Sequence, residues 1–386
     1  MRTLAVDALR LLGNRTGQGR HIEYLAHEWS CMDVPFDRVV LMAPEPFDLG
    51  ALGTTTPVVP DCFGHRLPRV LWEQVALPWR ARTAAILFCP TYIGPALSRT
   101  PVVVANHGIY ERFPDEFSRV QRLRSTTLHK ISARRAERVL ANSQNTRTDV
   151  SEFFGVSLDR IEVVNPAAHE VFFQPHAAEA VHAEVARVLG SPGPYLIFVG
   201  KVSRRRHVPA LIEAFAILRN EGHPTQRLLI VGPNTMNLDI GGAARAHGVG
   251  NEVVYVPHLD QSRLALLYAG ADAFVLPTTY EGISQTMFEA MAAGTPVLTV
   301  EHPTLAEGAG DAVLALPTPS VADLVRGMKR LLEDDRLRAD LAERGRARAR
   351  LFSWAATARS TMEILDRVAL ARDRGDVPPH GTADAR

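Results

Sequence analysis

Two glutamates, Glu281 and Glu289, are separated by seven residues in the stretch Pro277-Thr-Thr-Tyr-Glu-Gly-Ile-Ser-Gln-Thr-Met-Phe-Glu-Ala-Met-Ala-Ala-Gly-Thr-Pro296. The run reads as a strand end, a polar loop and a short helix closed by Gly294, with Ser284 placed to cap the helix start. Open α/β sheets hold ligands at the carboxyl ends of their strands, and a helix start offers free amides and a positive dipole to phosphate. A cradle of that kind, with one carboxylate in the loop and one on the helix, suits a sugar nucleotide. The amides take the diphosphate, and the carboxylates accept hydrogen bonds from sugar hydroxyls.

A second cluster, Gly200-Lys-Val-Ser-Arg-Arg-Arg-His207, also lies between a predicted strand and a predicted helix, so its cations face the same edge of the sheet. Lys201 is one of only three lysines, with Lys130 and Lys329. Lys201 and Arg206 are the candidates for meeting an anionic leaving group, while the neighbouring arginines read as a solvated loop. An isolated pair of glutamates is ordinarily surface charge, and an isolated histidine such as His107 is ordinarily a satisfied core or surface residue. Position after a strand is what raises all of these above that reading.

Elements that could position such residues recur along the chain. Short apolar runs bounded by Gly, Pro or Asn, at Val39 to Met42, Ala85 to Cys89, Val102 to Ala105, Val139 to Ala141 and Ile161 to Val164, suit strands buried on both faces. Helical spacing lies between them, at His21 to Trp29 and Thr126 to Glu137, so strand and helix alternate as in a parallel sheet. The pattern restarts near residue 193, with strands at Pro194 to Gly200, Arg227 to Gly232, Glu252 to Val256 and Ala273 to Pro277. Residues 1–175 therefore form one expected domain, 176–192 a linker and 193–355 a second domain. The sequence closes with a helix over 356–371 and a disordered tail over 372–386. The loops Pro44 to Arg69 and Tyr110 to Arg124 carry no transferable code.

At 386 residues, with 46% apolar and 22% charged residues and a formal net charge of +1, the chain has neither the basic excess of a nucleic-acid binder nor a disordered bias. Cys31, Cys62 and Cys89 lack metal or disulfide spacing, so a reducing cytoplasm and no bound metal are expected. Asp7 and Arg10 interrupt the opening apolar stretch before it can act as a secretory signal, and no stretch is apolar enough to span a membrane. From Arg119 to Arg138 seven basic residues face one acid, Glu137. That segment reads first as a solvated helix and second as a peripheral surface for anionic lipid, at the inner membrane face, or for an anionic acceptor.

The spacing of Glu281 and Glu289 resembles the hallmark of the large retaining glycosyltransferase family 4. Thr16-Gly-Gln-Gly-Arg20 resembles that family's N-terminal glycine loop, Asn106-His-Gly108 its histidine motif, and Phe352-Ser-Trp354 its C-terminal ending. The resemblance implies the GT-B arrangement of two facing Rossmann-like domains with a deep cleft and a C-terminal helix crossing back. It implies Glu289 on the ribose, Glu281 on the donor sugar, Lys201 and Arg206 on the diphosphate, and His107 beside the reacting sugar. Gly17 and Gly19 would admit the donor phosphates, and Gly200, Gly282, Ile283 and Ser284 would complete the donor pocket. Lys201 stands where the family more often has Arg, Arg206 where it has Lys, and Thr286 where it has Pro.

The activity so implied is transfer of a mannosyl, glucosyl or N-acetylglucosaminyl group from a UDP- or GDP-sugar to a glycan, glycolipid or small-molecule acceptor, with no cofactor beyond the donor. Rival readings are a sugar-nucleotide epimerase or hydrolase of the same architecture and a non-catalytic sugar-nucleotide-binding subunit. A dehydrogenase is disfavoured because Gly13, Gly17 and Gly19 do not spell a dinucleotide-binding turn.

Overall fold

A computed structural model describes residues 1–374 except 14, 16 and 114–116. The chain forms two compact units, Met1–Pro166 with the closing segment from Trp354, and Ala167–Ser353.

The first unit is built on a seven-stranded sheet of order β3-β2-β1-β4-β5-β6-β7. Its strands are β1 Thr3–Asp7, β2 Arg38–Ala43, β3 Val58–Cys62, β4 Ile86–Cys89, β5 Val102–Asn106, β6 Arg138–Ala141 and β7 Ile161–Val163. All pairs are parallel. That pairing explains why the central strands are unbroken Val, Leu and Ile runs: both faces are covered. β3 falls inside a stretch expected to be loop. It contains Pro60, which lacks an amide proton and is admitted only because β3 is the outermost strand.

Helix Arg119–Arg135 begins seven residues before the expected start at Thr126, inside the stretch taken for a loop. A capping box sets that start: Ser118 accepts from the Gln121 amide while the Gln121 side chain accepts from the Ser118 amide.

The closing helix runs Trp354–Asp373, two residues beyond each expected end. The rest of the tail, 375–386, lies outside the described residues. Met362, Leu365, Val368 and Ala369 join Ile22, Leu25 and Trp29 of helix Gly17–Cys31 in one core. Trp29 is fully buried and donates its indole N–H to the Ala358 carbonyl at 3.1 Å, and Thr357 bonds the Asn165 carbonyl at 2.7 Å.

The second unit carries a six-stranded parallel sheet of order β10-β9-β8-β11-β12-β13. It comprises β8 Tyr195–Val199, β9 Arg227–Val231, β10 Val253–Val256, β11 Ala273–Leu276, β12 Val297–Val300 and β13 Leu314–Leu316. The expected linker lies within this unit and carries helix Ala178–Leu189, closed by Gly190 at φ 84°. Its alanines favour helix, and Val185 and Leu189 are buried in the core of the second sheet. No helix among the described residues is long and apolar enough to cross a membrane.

Truncating Trp29 to Ala should destabilise the first unit by about 3–5 kcal/mol, because it opens a large cavity under the closing helix and removes the indole bond to the Ala358 carbonyl. Denaturant unfolding of the purified chain measures this, and a loss below about 1 kcal/mol would show that the helix is held by other contacts.

Candidate functional site

In the second sheet the strand order reverses between β8 and β11, and the crevice at their carboxyl ends is where doubly wound sheets bind ligands. Both predicted clusters are delivered there by those two strands. The turn after β8 holds Gly200 to His207 and the turn after β11 holds Thr278 to Ser284.

The two turns are tied together. Arg205 donates to the Tyr280 carbonyl at 2.7 Å and to Thr278 at 3.3 Å, while the Thr279 amide donates to the Arg205 carbonyl at 2.9 Å. At the centre is Glu281, 2% exposed. Its Oε1 receives Arg205 at 2.8 Å, Arg206 Nε at 2.9 Å and Arg206 NH2 at 2.8 Å. Burial alone would raise the Glu281 carboxyl, but the flanking charges of Arg205 and Arg206 outweigh it and hold the group below its ordinary value. These hydrogen bonds and ion pairs all use Oε1.

Backbone geometry makes room for this arrangement. Gly200 sits at φ 147°, and a Cβ there would stand 1.7 Å from the Arg206 guanidinium, so that guanidinium lies directly over the glycine. His207, at φ 44°, takes a left-handed turn unusual for a side-chain-bearing residue, and helix Val208–Asn220 follows at once.

Gly282, Ile283 and Ser284 are buried between Glu281 and the next helix, Gln285–Ala293. Ser284 caps it, its hydroxyl accepting from the Met287 amide at 3.3 Å, and Gly294 closes it at φ 78°. Glu289 is buried on that helix, at 3% exposure. Lys201 is exposed at the start of the β8 turn.

Two residues differ from the sequence reading. Arg206 is engaged by a carboxylate instead of standing free, and Arg205, set aside as a solvated neighbour, is drawn into the same ion pair. Nothing in the spacing of three consecutive arginines tells which of them turns inward. The short 3-10 turn Arg204–Arg206 decides it by projecting two of the three toward the β11 loop.

The remaining candidates lie in the first unit. His107 follows β5, and its Nε2 donates to the Pro90 carbonyl at 2.8 Å, which leaves Nδ1 as an acceptor. Burial lowers its proton affinity, with the Pro90 bond opposing. His21 packs edge-on against His107 at 5.1 Å and against Trp354 at 5.3 Å, and burial followed by the His107 charge holds it well below the ordinary histidine value. Gly17 and Gly19 begin helix Gly17–Cys31 instead of forming a loop, and Thr16 lies outside the described residues. A Cβ on Gly19 would stand 2.5 Å from the Arg10 carbonyl, so close backbone approach within this unit already requires glycine there.

Two family models match, one to each unit: Glycosyltransferase Family 4 over residues 15–169 and Glycosyl transferases group 1 over residues 187–348. The two matches together make the chain family-4-like in both units. Its fold is the family's GT-B fold. Among curated relatives, the D-inositol 3-phosphate glycosyltransferase of Nocardia farcinica is 31% identical over 237 residues, covering 59% of this chain and 52% of that protein. The chain thus spans about half the length of the curated relatives it matches. Sucrose-phosphate synthase from Thermosynechococcus elongatus superimposes with a TM-score of 0.76 at 18% identity, covering 96% of this chain and 100% of that one. Anabaena HepE, solved in complex with UDP-glucose, gives 0.75 at 18% identity, covering 95% and 100%.

Replacing Glu281 with Gln should cost about 3 kcal/mol at pH 7, since two buried guanidiniums lose their counter-charge. Because the folded carboxyl titrates below 4.5, that contribution is full above pH 4.5 and disappears as pH falls through the folded value. Denaturation midpoints of both proteins from pH 7 to pH 3 should therefore converge at the acid end. A constant gap across the range would contradict an ionised Glu281.

Proposed function

We propose that this chain is a retaining glycosyltransferase that moves a hexosyl group from a UDP- or GDP-sugar to a hydroxyl of a glycan, glycolipid or small-molecule acceptor. The observation that carries the reading is the buried Glu281 fixed by two arginines where β8 and β11 diverge, beside a capped helix that opens toward the same turn. Oε2 of Glu281, outside those hydrogen bonds, is the acceptor for donor-sugar hydroxyls. The amides around Gly282 to Ser284 and the helix dipole receive the diphosphate. Lys201 and Arg206 supply positive charge as the nucleotide leaves, stabilising the transition state more than the bound donor. Glu289 holds the nucleotide ribose.

A diphosphate oxygen takes the acceptor proton in this scheme, so no protein base is needed and the neutral state of His107 is compatible with it. His107 accepts a hydrogen bond from a sugar hydroxyl at Nδ1 of a fixed tautomer, and contributes no charge. Beyond donor and acceptor, the reaction calls for no further small molecule. Cys31, Cys62 and Cys89 are free thiols, which accords with a cytoplasmic enzyme. The UDP-glucose seen with the HepE neighbour makes uridine conjugates the first donors to try.

Thermal stability across a panel of UDP, GDP, ADP and their hexose conjugates tests the donor assignment. A ligand at a hundred times its Kd adds about 2.7 kcal/mol. One sugar nucleotide should raise the midpoint selectively, and Glu289→Ala should abolish the rise; no shift with any member would overturn the assignment. With the donor known, nucleotide release that depends on added acceptor marks a transferase. Release without acceptor marks a hydrolase or epimerase, and binding without any turnover marks a binding subunit.

A further inference from the structure

The first unit carries exposed apolar side chains on two helical segments and the loop that joins them. The first segment runs without a break through Arg69–Leu71, a π-helical turn Trp72–Ala76, and Leu77–Arg80. Trp72 and Leu77 are fully buried, while Leu71, Val75 and Trp79, spaced four residues apart and so on one face, are 50%, 61% and 59% exposed. The second segment is helix Arg119–Arg135, whose Val120 and Leu123 are 77% and 72% exposed.

One loop ties the two together. Gln74 donates to the Gly94 carbonyl at 3.3 Å and accepts from the Ala96 amide at 2.8 Å. From the other helix Ser132 bonds the Gly94 carbonyl at 3.1 Å and Arg135 the Ala96 carbonyl at 3.0 Å. Leu97, the next residue, is 77% exposed.

The charge on these segments has one sign. Across residues 69–82, 94–99 and 119–135 the only acid is Glu73, which is buried and paired with Arg69 at 2.7 Å. Arg82, Arg99, Arg119, Arg124 and Arg135 are exposed, and Arg82 lies over the Trp79 ring at 4.3 Å. Apolar tips set among arginines, with a tryptophan among them, match the chemistry of an anionic bilayer surface: the tips enter the boundary between headgroups and acyl chains, and the guanidiniums stay with the lipid phosphates. A second copy of this chain would bring the same positive charge to the same place.

We propose that this pair of helices and their connecting loop is a peripheral docking face for anionic lipid. It extends the basic segment 119–138 to the Leu71, Val75, Trp79 stripe and Leu97. The face is independent of the sugar-nucleotide reading, because vesicle binding needs no donor or acceptor.

Co-sedimentation of the full chain with phosphatidylglycerol vesicles and with pure phosphatidylcholine vesicles tests it. Trp79 is a built-in reporter, since Trp29, Trp72 and Trp354 are already buried. Expected are binding to phosphatidylglycerol that weakens with added salt, a blue shift of tryptophan emission on binding, and little binding to phosphatidylcholine. The combined change Val75→Ser, Trp79→Ser, Leu97→Ser should lower partitioning about tenfold or more, and Arg82→Gln with Arg124→Gln should do likewise and flatten the salt dependence. All of these side chains are exposed, and an unchanged thermal midpoint verifies the fold of each variant. Absence of binding to phosphatidylglycerol at low salt, or binding indifferent to both variants, would overturn the proposal. So would a dimer in sedimentation velocity that the serine variant dissociates, which would assign the face to a second copy.

Discussion

A carboxylate without solvent is stable only where cations and donors surround it, and Glu281 meets that condition by drawing Arg205 and Arg206 from a turn some seventy-five residues earlier in the chain. Much of the site's geometry depends on this pairing. It joins the turn after β8 to the turn after β11, fixes Arg206 over Gly200, and holds the β11 loop against the start of helix Gln285–Ala293. The sheet contributes by placing β8 and β11 side by side with their carboxyl ends together, at the one place in its order where successive crossovers diverge.

The first unit uses the same sheet logic with a different chemical character. Its β1 and β4 diverge as β8 and β11 do, but Asp7, the last residue of β1, is buried and raised by desolvation, with its carboxylate taking the Trp72 indole at 3.0 Å and the Leu9 amide at 3.2 Å. Glu73, the residue after Trp72, is pushed up to about 7 by burial, against the opposing charge of Arg69. The two histidines that flank this region are held neutral by burial. At the second unit's switch point the carboxylate is ionised and tightly paired, while at the first unit's, Asp7 and Glu73 are pushed toward the neutral form, a contrast set by how far cations offset burial at each.

Strand positions were legible because central parallel strands must be apolar on both faces, which leaves an uninterrupted run such as Tyr195 to Val199. Edge strand β3 was not, since exposure on one side lets it carry Pro60 and Asp61 and so removes the signal. The placement of Glu281, Ser284, Glu289 and Gly200 followed from their position between strand and helix. The inward turn of Arg205 did not, because three identical neighbours differ only in backbone conformation, which His207 at φ 44° helps set. The early start of helix Arg119–Arg135 was missed for a related reason. It depends on a local device, the reciprocal Ser118–Gln121 cap, that periodicity does not register.

The central claim is that the donor occupies the crevice where β8 and β11 end, and amide hydrogen exchange with and without UDP-glucose, and then GDP-mannose, tests it most directly. The account predicts slowed exchange confined to the turn 200–207 and the segment 279–289, with little change on the opposite, amino-terminal edge of the same sheet. Protection that appears elsewhere in the chain and leaves both turns unaltered would contradict it.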